Sequence, residues 1–450
     1  MEQIKVSVII PVYNAMPFLE DNLKSLLSQT LEEIEIIYVD DKSTDDSLKL
    51  LRIYREHDNR IILIENQENV GVGVSRNVGF KMARGEYIAH LDADDYFVPN
   101  MLELMYKRAT LSAADVVVCD YYEDDMLNHT IHEKRIPKWF VNRWDEDLLL
   151  EKKENRKYAI NVIPHPTWNK LIKREFLEEK KILMQEIRSA ADVFFGNAVV
   201  IAADHVAYMG DKCSCLIYYR KNTGKQITSN TNQYVMNLYI AEKKLHDFID
   251  SCDNYRHFRA SAFLHFYRGM SFYYDRLNRE NKIKLFLYIK ENYLHDFSYA
   301  TWDKEEFYYV SAYINLKHFY DGDFSDNNLI DYQTNVFGDE IIEKLEKHKC
   351  VLWGFGKQGK AFYVKCKRTG YNIYGVIDVN ANKIKENNNV DIVKSISELK
   401  HELFDAILVS SSEYLETIIK EIRGKGYDCP VIDIMPVGMM GVPFEECVYS

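Results

Sequence analysis

Several features are scarce in this 450-residue sequence, and each scarcity excludes a class of protein. Its eight cysteines form no Cys-x-x-Cys pair, and the spacing of Cys213 and Cys215 is wrong for the usual zinc knuckle. We therefore expect reduced thiols, as in the cytoplasm. No apolar run approaches the roughly 20 residues that a membrane helix needs. The first residues lead straight into a strand pattern, so no signal peptide is expected.

Positive charge is also in short supply. The formal net charge is −12, which disfavours nucleic-acid binding because phosphate contacts require clustered lysine and arginine. Hydrophobic residues make up 47% of the chain, which is typical of a globular protein. At this length two or three domains are expected. We predict a cytoplasmic protein, with peripheral contact at the inner face of the membrane and homo-oligomer formation left open.

Strand and helix patterns alternate from residue 4 to about residue 125. The predicted strands are 6–10, 35–39, 61–64 and 86–91, and the helices between them are 16–29, 43–56 and 69–84. Such alternation predicts an α/β fold with a mostly parallel sheet covered on both faces. Ser43, Thr44 and Asp45 are predicted to cap the second of these helices.

The rest of the chain changes character three times. Residues 126–160 are charged and predicted to be irregular, whereas residues 161–230 look mixed, with a helix at 192–202. The region 231–340 is rich in aromatic residues and predicted to be helical, and strand–helix alternation restarts near residue 349. We predict three domains with these boundaries: an α/β domain at 1–230, a helical region at 231–340 and a small Rossmann-like domain at 341–450.

An acidic run, Asp92-Ala93-Asp94-Asp95, follows the fourth predicted strand. Ligands gather at the carboxyl ends of parallel strands. Mg²⁺ and Mn²⁺ prefer oxygen ligands and bind through one or two carboxylates together with substrate phosphates. A cation there would stabilise a diphosphate leaving group. Taken alone, however, such a short run is more often a solvated acidic turn.

Five motifs in fixed order give the run its context. They are Val6-Ser7-Val8-Ile9-Ile10-Pro11-Val12-Tyr13-Asn14, Val39-Asp40-Asp41-Lys42-Ser43-Thr44-Asp45, Asn69-Val70-Gly71, Arg76-Asn77 and Leu91-Asp92-Ala93-Asp94-Asp95. Over residues 4–125 this series resembles the family 2 glycosyltransferases, which have the GT-A fold and mostly invert the anomeric centre. One departure is Lys42, where the family usually has glycine.

The resemblance implies a donor-binding role for particular residues. They are Pro11, Val12, Tyr13, Asp40, Gly71, Arg76, Asp92, Ala93 and Asp94. Tyr13 would stack on the nucleotide base, and Asp40 would accept a hydrogen bond from it. Arg76 would face the phosphates or position Asp92. Asp94 would be the main ligand of a Mn²⁺ or Mg²⁺ ion, with Asp92 beside it.

Inversion also requires a carboxylate that takes the proton of the acceptor hydroxyl. The family often carries it in a Glu-Asp pair that opens a helix after a Trp-x-Lys segment. Here Asp192 matches the aspartate and Ala191 replaces the glutamate, with Glu186 as the reserve candidate. Two further predictions concern the surroundings: His165 and Trp168 shape the acceptor side, unless Trp168 is core, and Arg220-Lys221 either touch the diphosphate or form a solvated loop.

A second glycine motif follows the predicted strand 350–353. Gly354, Gly356 and Gly359 fit G-x-G-x-x-G, and Asp378 ends the next strand at the distance of a ribose-binding acid. These residues predict either a second nucleotide site or tight strand–helix packing without a ligand.

The sequence therefore predicts a metal-dependent, inverting glycosyltransferase. The resemblance implies a nucleotide-sugar donor, most often a UDP-sugar, and transfer of a hexosyl or N-acetylhexosaminyl group to a glycan or lipid-linked acceptor in surface polysaccharide synthesis. Two alternatives stay open at this point. One is an NAD(P)-dependent oxidoreductase centred on the C-terminal domain, and the other is an inactive scaffold that binds sugar nucleotides.

Overall fold

The computed structural model describes residues 3–141, 156–210, 214–224, 232–296, 342, 344–378, 392–393, 395–398, 404–410, 415–434 and 448–449. The chain divides into two compact units, residues 1–297 and residues 298–450. The domain boundaries at residues 230 and 340 stay predictions. Among the described residues, no helix is both long enough and apolar enough to cross a membrane.

Two sheets form the framework of the first unit. Their strands are β1 (Val6–Val12), β2 (Ile34–Asp40), β3 (Ile61–Glu65), β4 (Tyr87–His90), β5 (Tyr96–Phe97), β6 (Val116–Val118), β7 (Asp120–Asp125), β8 (Thr130–Lys134), β9 (Lys170–Lys173), β10 (Val206–Tyr208) and β11 (Cys215–Lys221). The larger sheet has the order β10-β6-β9-β4-β1-β2-β3. Only β9 runs antiparallel to its neighbours in that sheet, so the prediction of a mostly parallel sheet is confirmed.

The central strands of this sheet are buried on both faces. Every residue of β2 is buried, as is every residue of β1 except Pro11. A strand covered on both sides reads as a continuous apolar run, because neither face meets water. The first four helices, which flank these strands in the chain, are α1 (Leu19–Leu27), α2 (Ser47–His57), α3 (Val72–Met82) and α4 (Met101–Leu111). The strand ends that carry the acidic motifs are thereby held on a rigid support.

The predicted cap of α2 is present only at Asp45. The helix begins at Ser47, whose amide donates to Asp45 Oδ1 at 3.0 Å, and the preceding residue makes no side-chain cap. The main-chain amides of Thr44 and Asp45 donate to Asn14 Oδ1, over 2.7 and 3.2 Å. Residues with capping chemistry therefore tie the loop after β2 to the loop after β1, since short polar side chains bond loop backbone as readily as helix ends.

The smaller sheet corrects a second expectation. Its order is β5-β11-β7-β8, and β8 pairs antiparallel with β7, within a region predicted to be irregular. Four of the five side chains of β8 are exposed, so the strand lacks the apolar alternation that reveals strands in a sequence. Residues 142–155 of the same region lie outside the described residues.

Helices complete the first unit. They are α5 (Lys138–Val141), α6 (Ala159–Val162), α7 (Arg174–Lys180), α8 (Ala191–Ala202), α9 (Asn237–Asp250), α10 (Arg259–Arg276) and α11 (Arg279–Asp296). The predicted helix at 192–202 is confirmed as α8, in which only Asp192 is not buried. Helix α9 packs against both α8 and α10. The predicted helical region thus supplies helices as far as residue 296, and residues 297–340 lie outside the described residues.

The second unit is built on its own sheet. Its elements are β12 (Cys350–Trp353), α12 (Lys357–Thr369), β13 (Gly375–Ile377), β14 (Ile392–Val393), β15 (Ala406–Val409), α13 (Leu415–Gly424), β16 (Val431–Asp433) and β17 (Val448–Tyr449). The strand order is β14-β13-β12-β15-β16-β17, parallel except for β17. The predicted alternation is present, and the Rossmann-like assignment stays a prediction.

Candidate active site

The acidic loop, residues 91–95, leaves the carboxyl end of β4. Carboxylate oxygens of Asp92, Asp94 and Asp95 all lie within 4.8 Å of one another. Asp92 and Asp94 are partly exposed, whereas Asp95 is fully buried. Burial, together with the neighbouring Asp92 charge, raises the pKa of Asp94 to about 6. Crowded carboxylates of this kind repel one another, and a divalent cation among them would relieve that repulsion.

A buried amide supports the acidic loop from α1. Asn22 Nδ2 donates to the main-chain oxygens of Asp92 and Asp95, over 2.9 and 3.0 Å. Its Oδ1 accepts a hydrogen bond from the Tyr38 hydroxyl on β2, at 2.8 Å. Neither residue was predicted from the sequence. The available signal was a polar residue on the apolar face of an amphipathic helix.

Arg220, near the end of β11, holds the same loop from the other side. Its main-chain amide donates to Asp95 Oδ1 at 2.8 Å, and its guanidinium donates to the Asp94 carbonyl at 2.9 Å. The guanidinium also pairs with Asp21 over 2.6 Å. Lys221 Nζ lies 3.2 Å from a Glu123 carboxylate oxygen. Arg220 therefore supports the acidic loop, while its predicted contact with a diphosphate stays a prediction.

Arg76, on α3, forms an ion pair with Asp92. The Arg76 side chain is only 5% exposed, against 31% for Asp92. Because the guanidinium is a rigid fork of donors, it orients the carboxylate that it binds. Of the two predicted roles, the geometry favours the one in which Arg76 positions Asp92.

The ends of β1 and β2 form the adjoining part of the site. These strands are paired in register, so that Val12 lies beside Asp40. Asp40 Oδ2 accepts a hydrogen bond from the Ser43 amide at 3.2 Å. Its Oδ1 is buried and has no hydrogen-bond partner among the described residues. Tyr13, the next residue after β1, is 52% exposed. A buried acceptor and an exposed ring thus lie at neighbouring strand ends.

Asp41 connects this strand end to the glycine segment. Its carboxylate accepts hydrogen bonds from the amides of Val70 and Gly71, over 2.9 and 2.8 Å. Gly71 has a φ of +92° and immediately precedes α3, a backbone conformation that favours glycine. Lys42 also has a positive φ, of +67°, which fits a position where the family usually has glycine. The two aspartates that precede Lys42 keep their places at the end of β2.

Asp192, in the first turn of α8, lies near the acidic loop. Burial is the main reason that the pKa of Asp92 is raised, and the Asp192 carboxylate adds to that rise. Glu186, the reserve candidate, is exposed and acts electrostatically on Lys244. Ala191 stands where the family often has glutamate, and it is 2% exposed. The structure therefore brings Asp192 to the site.

The Trp-x-Lys segment lies beneath α8. Trp168 is 6% exposed and stacks on Tyr219 with 5.2 Å between ring centroids, so it belongs to the core. Lys170 is also buried, and burial lowers its pKa to about 7. Its ammonium donates to the carbonyls of Pro164 and Pro166. Lys170 thereby fixes the short loop that contains His165.

The predicted C-terminal site residues also come together. Gly354 follows β12, and its carbonyl accepts a hydrogen bond from Ser410 Oγ at 3.0 Å. Gly356 immediately precedes α12, and a Cβ at Gly359 would overlap the Gly354 carbonyl oxygen. Asp378 Oδ2 accepts a hydrogen bond from the Phe355 amide at 2.7 Å. The second nucleotide site stays a prediction, because these contacts serve the loop itself.

Comparison with known proteins defines the class of the first unit. The sequence profile of Glycosyl transferase family 2 matches residues 7–180, and that of C2185-like, N-terminal matches residues 346–431. The crystal structure of S. aureus TarS 1-349 in complex with UDP superposes on this chain with a TM-score of 0.55 at 21% sequence identity. The superposition covers 76% of this chain and 91% of that TarS chain. At that identity the likeness establishes the fold, which is the predicted GT-A type.

Two curated relatives show to which family this chain belongs. Glycosyltransferase GlyG of Streptococcus pneumoniae serotype 4 is 30% identical over 227 residues, which cover 49% of this chain and 71% of GlyG. Uncharacterized glycosyltransferase EpsJ of Bacillus subtilis is 34% identical over 224 residues, covering 48% of this chain and 61% of EpsJ. This chain belongs to the family 2 glycosyltransferases, as its ordered motifs predicted.

Proposed function

We propose that this glycosyltransferase moves a sugar from a UDP-sugar to a hydroxyl of a glycan or lipid-linked acceptor in surface polysaccharide synthesis. The main support is the acidic loop, in which oxygen atoms of three carboxylates lie within 4.8 Å of one another. These carboxylates suit a metal ion bound to a diphosphate. Asp40 Oδ1, which is buried and has no hydrogen-bond partner among the described residues, suits the imide N–H of uracil. TarS, which has the same fold, binds UDP.

In this proposal the donor lies along the strand ends of the first unit. Tyr13 stacks on the base, Pro11 and Val12 frame it, and Asp40 accepts its N–H. The proposed phosphate side is formed by Gly71, Arg76, Asp92, Ala93 and Asp94. Arg76 supports this division, since it already holds Asp92 through an ion pair.

The donor set fits Mn²⁺ or Mg²⁺, because its oxygen atoms come from carboxylates alone. Asp94, with Asp92, would hold the ion, and Asp95 Oδ2 is a further buried oxygen without a partner among the described residues. When bound, the cation neutralises charge that develops on the departing diphosphate. Asn22 and Arg220 keep the loop in place for this purpose through its main-chain oxygens.

Asp192 is the proposed general base. As the acceptor oxygen forms its bond to C1 of the sugar, the bond from C1 to the diphosphate breaks. The hydroxyl proton passes to the Asp192 carboxylate, and the anomeric centre is inverted. Asp192 comes from α8 and not from the strand ends, as is required of a base that acts opposite the leaving group.

Titration with UDP, with and without Mn²⁺, tests the donor site. We expect metal-dependent binding that Asp94→Ala weakens about 100-fold or more, since one of the principal metal ligands is lost. Asp253→Ala is the matched control, because the Asp253 side chain is 83% exposed and the residue begins a short 3-10 helix. Metal-dependent UDP binding that survives Asp94→Ala would contradict the assignment.

Binding measurements on the same purified protein distinguish the glycosyltransferase from the two alternatives, an oxidoreductase and an inactive scaffold. NADH binding without any affinity for UDP would favour an oxidoreductase, and UDP binding without sugar transfer to any acceptor would favour a scaffold. Donor hydrolysis across a panel of hexosyl and N-acetylhexosaminyl nucleotides then identifies the transferred sugar. The proposed cytoplasmic location, at the inner face of the membrane, is tested by fractionation of the producing cells.

A further inference from the structure

A buried chain of polar side chains runs from the helical region towards α8. Glu242, on α9, is completely buried, and its Oε1 lies 2.7 Å from Nδ1 of His265 on α10. Nε2 of His265 lies 3.4 Å from Nδ1 of His165. Glu242 Oε2 is buried and has no hydrogen-bond partner among the described residues. Glu242, His265 and His165 together form this polar chain.

The polar chain ends beside the helix turn that carries Asp192. Gly196 lies one turn after Asp192, and therefore on the same face of α8. A Cβ at Gly196 would overlap the His165 carbonyl oxygen. Lys170 fixes the same loop by donating to the carbonyls on both sides of His165. His165 thus has a fixed place directly under the turn of the proposed base.

Hydrogen bonding determines which nitrogen atoms of the polar chain carry protons. Asn197 Nδ2 donates to the Val193 carbonyl at 2.8 Å, and its second hydrogen faces His265 Nε2 at 3.3 Å. That ring nitrogen is therefore an acceptor, and Nδ1 of His265 donates to Glu242. His165 then donates from Nδ1 to His265. The Asn197 amide and His165 Nδ1 thereby share the one lone pair of His265 Nε2, over 3.3 and 3.4 Å.

Electrostatics agrees with this arrangement. Burial lowers the pKa of His165 to about 4, while the Asp192 charge opposes that change. An imidazolium next to a carboxylate would make the carboxylate a weaker base. A neutral His165 avoids that loss. Packing alone does not account for the chain, because apolar residues of similar volume can replace buried charges without loss of stability.

We propose that Glu242 and His265 hold His165 as a neutral imidazole of one tautomer beside Asp192, and that all three are positioning residues for the general base. This inference rests on the proposed function, in which Asp192 takes the acceptor proton. The helical region, which shows no sequence motif, would then contribute to the chemistry through α9 and α10.

A double-mutant cycle on the full chain tests the inference. His165→Leu removes the polar chain's last member, and His165→Asn keeps a polar atom near the place of Nδ1. We expect His165→Leu to lower kcat about tenfold or more while KM for the donor changes by about twofold at most, since the residue acts through the base alone. His165→Asn should recover at least half of the lost rate on a logarithmic scale. In an Asp192→Asn background, His165→Leu should have no further effect on kcat.

Glu242→Gln keeps the shape of the chain and guards against misfolding of the leucine variant. We expect a drop in kcat of about threefold or more, again only when Asp192 is present. Equal losses from His165→Leu and His165→Asn, or additive losses with Asp192→Asn, would overturn the inference while metal-dependent UDP binding persists. Loss of UDP binding by the unmodified chain would instead overturn the proposed function, and this inference with it.

Discussion

The two units use the same structural device in different ways. Each places aspartates at the carboxyl ends of parallel strands. In the first unit, Asp40 Oδ1 and Asp95 Oδ2 are buried without partners among the described residues. In the second, Asp378 accepts the Phe355 amide and closes its own loop. A strand end therefore becomes a candidate ligand site only where buried acceptors outnumber the donors that the protein supplies.

The largest effect is expected from Asp192→Asn, which separates the chemical step of the first unit from its binding of the donor. The amide cannot take a proton, so kcat should fall about 1,000-fold, while the affinity for UDP is retained. Initial rates of sugar transfer, with calorimetric titration of UDP, provide the measurement. Asp253→Asn serves as the surface control. Persistence of full transfer would show that Asp192 is not the base.

Asn22→Leu tests whether the acidic loop depends on its buried support. The variant leaves the main-chain oxygens of Asp92 and Asp95 without their donor, and the Tyr38 hydroxyl without its acceptor. We expect a loss of about 2–3 kcal/mol in the free energy of unfolding, together with weaker metal-dependent UDP binding. Urea unfolding and UDP titration measure the two effects. Tyr38→Phe, which removes a single hydrogen bond, should cost about 1 kcal/mol, and an equal cost for both variants would contradict this account.

Asp378→Asn tests whether the strand-end carboxylate of the second unit serves only its own loop. If the carboxylate only closes its loop, UDP binding should not change, and the free energy of unfolding should fall by about 1–2 kcal/mol through loss of a charge-assisted hydrogen bond. Differential scanning calorimetry and UDP titration measure these quantities. Asp405→Asn is a comparison variant, because its carboxylate also accepts a main-chain amide, that of Lys349, at 2.9 Å. A large loss of UDP affinity in Asp378→Asn would place a nucleotide on the second unit.

A gradual effect is expected on acidification. Burial lowers the pKa of His246 to about 3 and that of His165 to about 4, so both stay neutral in the folded chain while the unfolded chain binds protons near pH 6.5. Unfolding therefore takes up protons at these two histidines, and their contribution to stability should fall as the pH drops from about 7 to about 4, by at most about 1.4 kcal/mol per unit for each histidine. Urea midpoints measure the slope, which His246→Asn should reduce. A slope unchanged by that variant would remove His246 from the explanation.

The sequence predicted the strand ends well, because local patterns determine them. Apolar runs ended by polar residues located β1, β2, β3 and β4, and five ordered motifs identified the family before any contact was known. Of the three residues predicted to cap α2, only Asp45 bonds the first amide of the helix, because Ser43 and Thr44 bond to Asn14, 29 and 30 positions away. Strand β8 was missed because pairing with β7, rather than its own exposed side chains, makes it a strand.

The sequence by itself determined the family, the α/β fold of the first unit and the aspartates of its acidic loop. Those features depend on residue types at short spacings, which a single chain displays directly. Tertiary structure alone decided that Asn22 and Arg220 support the acidic loop, and that Glu242 reaches His165 through His265. These contacts join residues 23 to 126 positions apart. Buried polar partners of that kind are selected by packing in three dimensions, and so no local pattern reveals them.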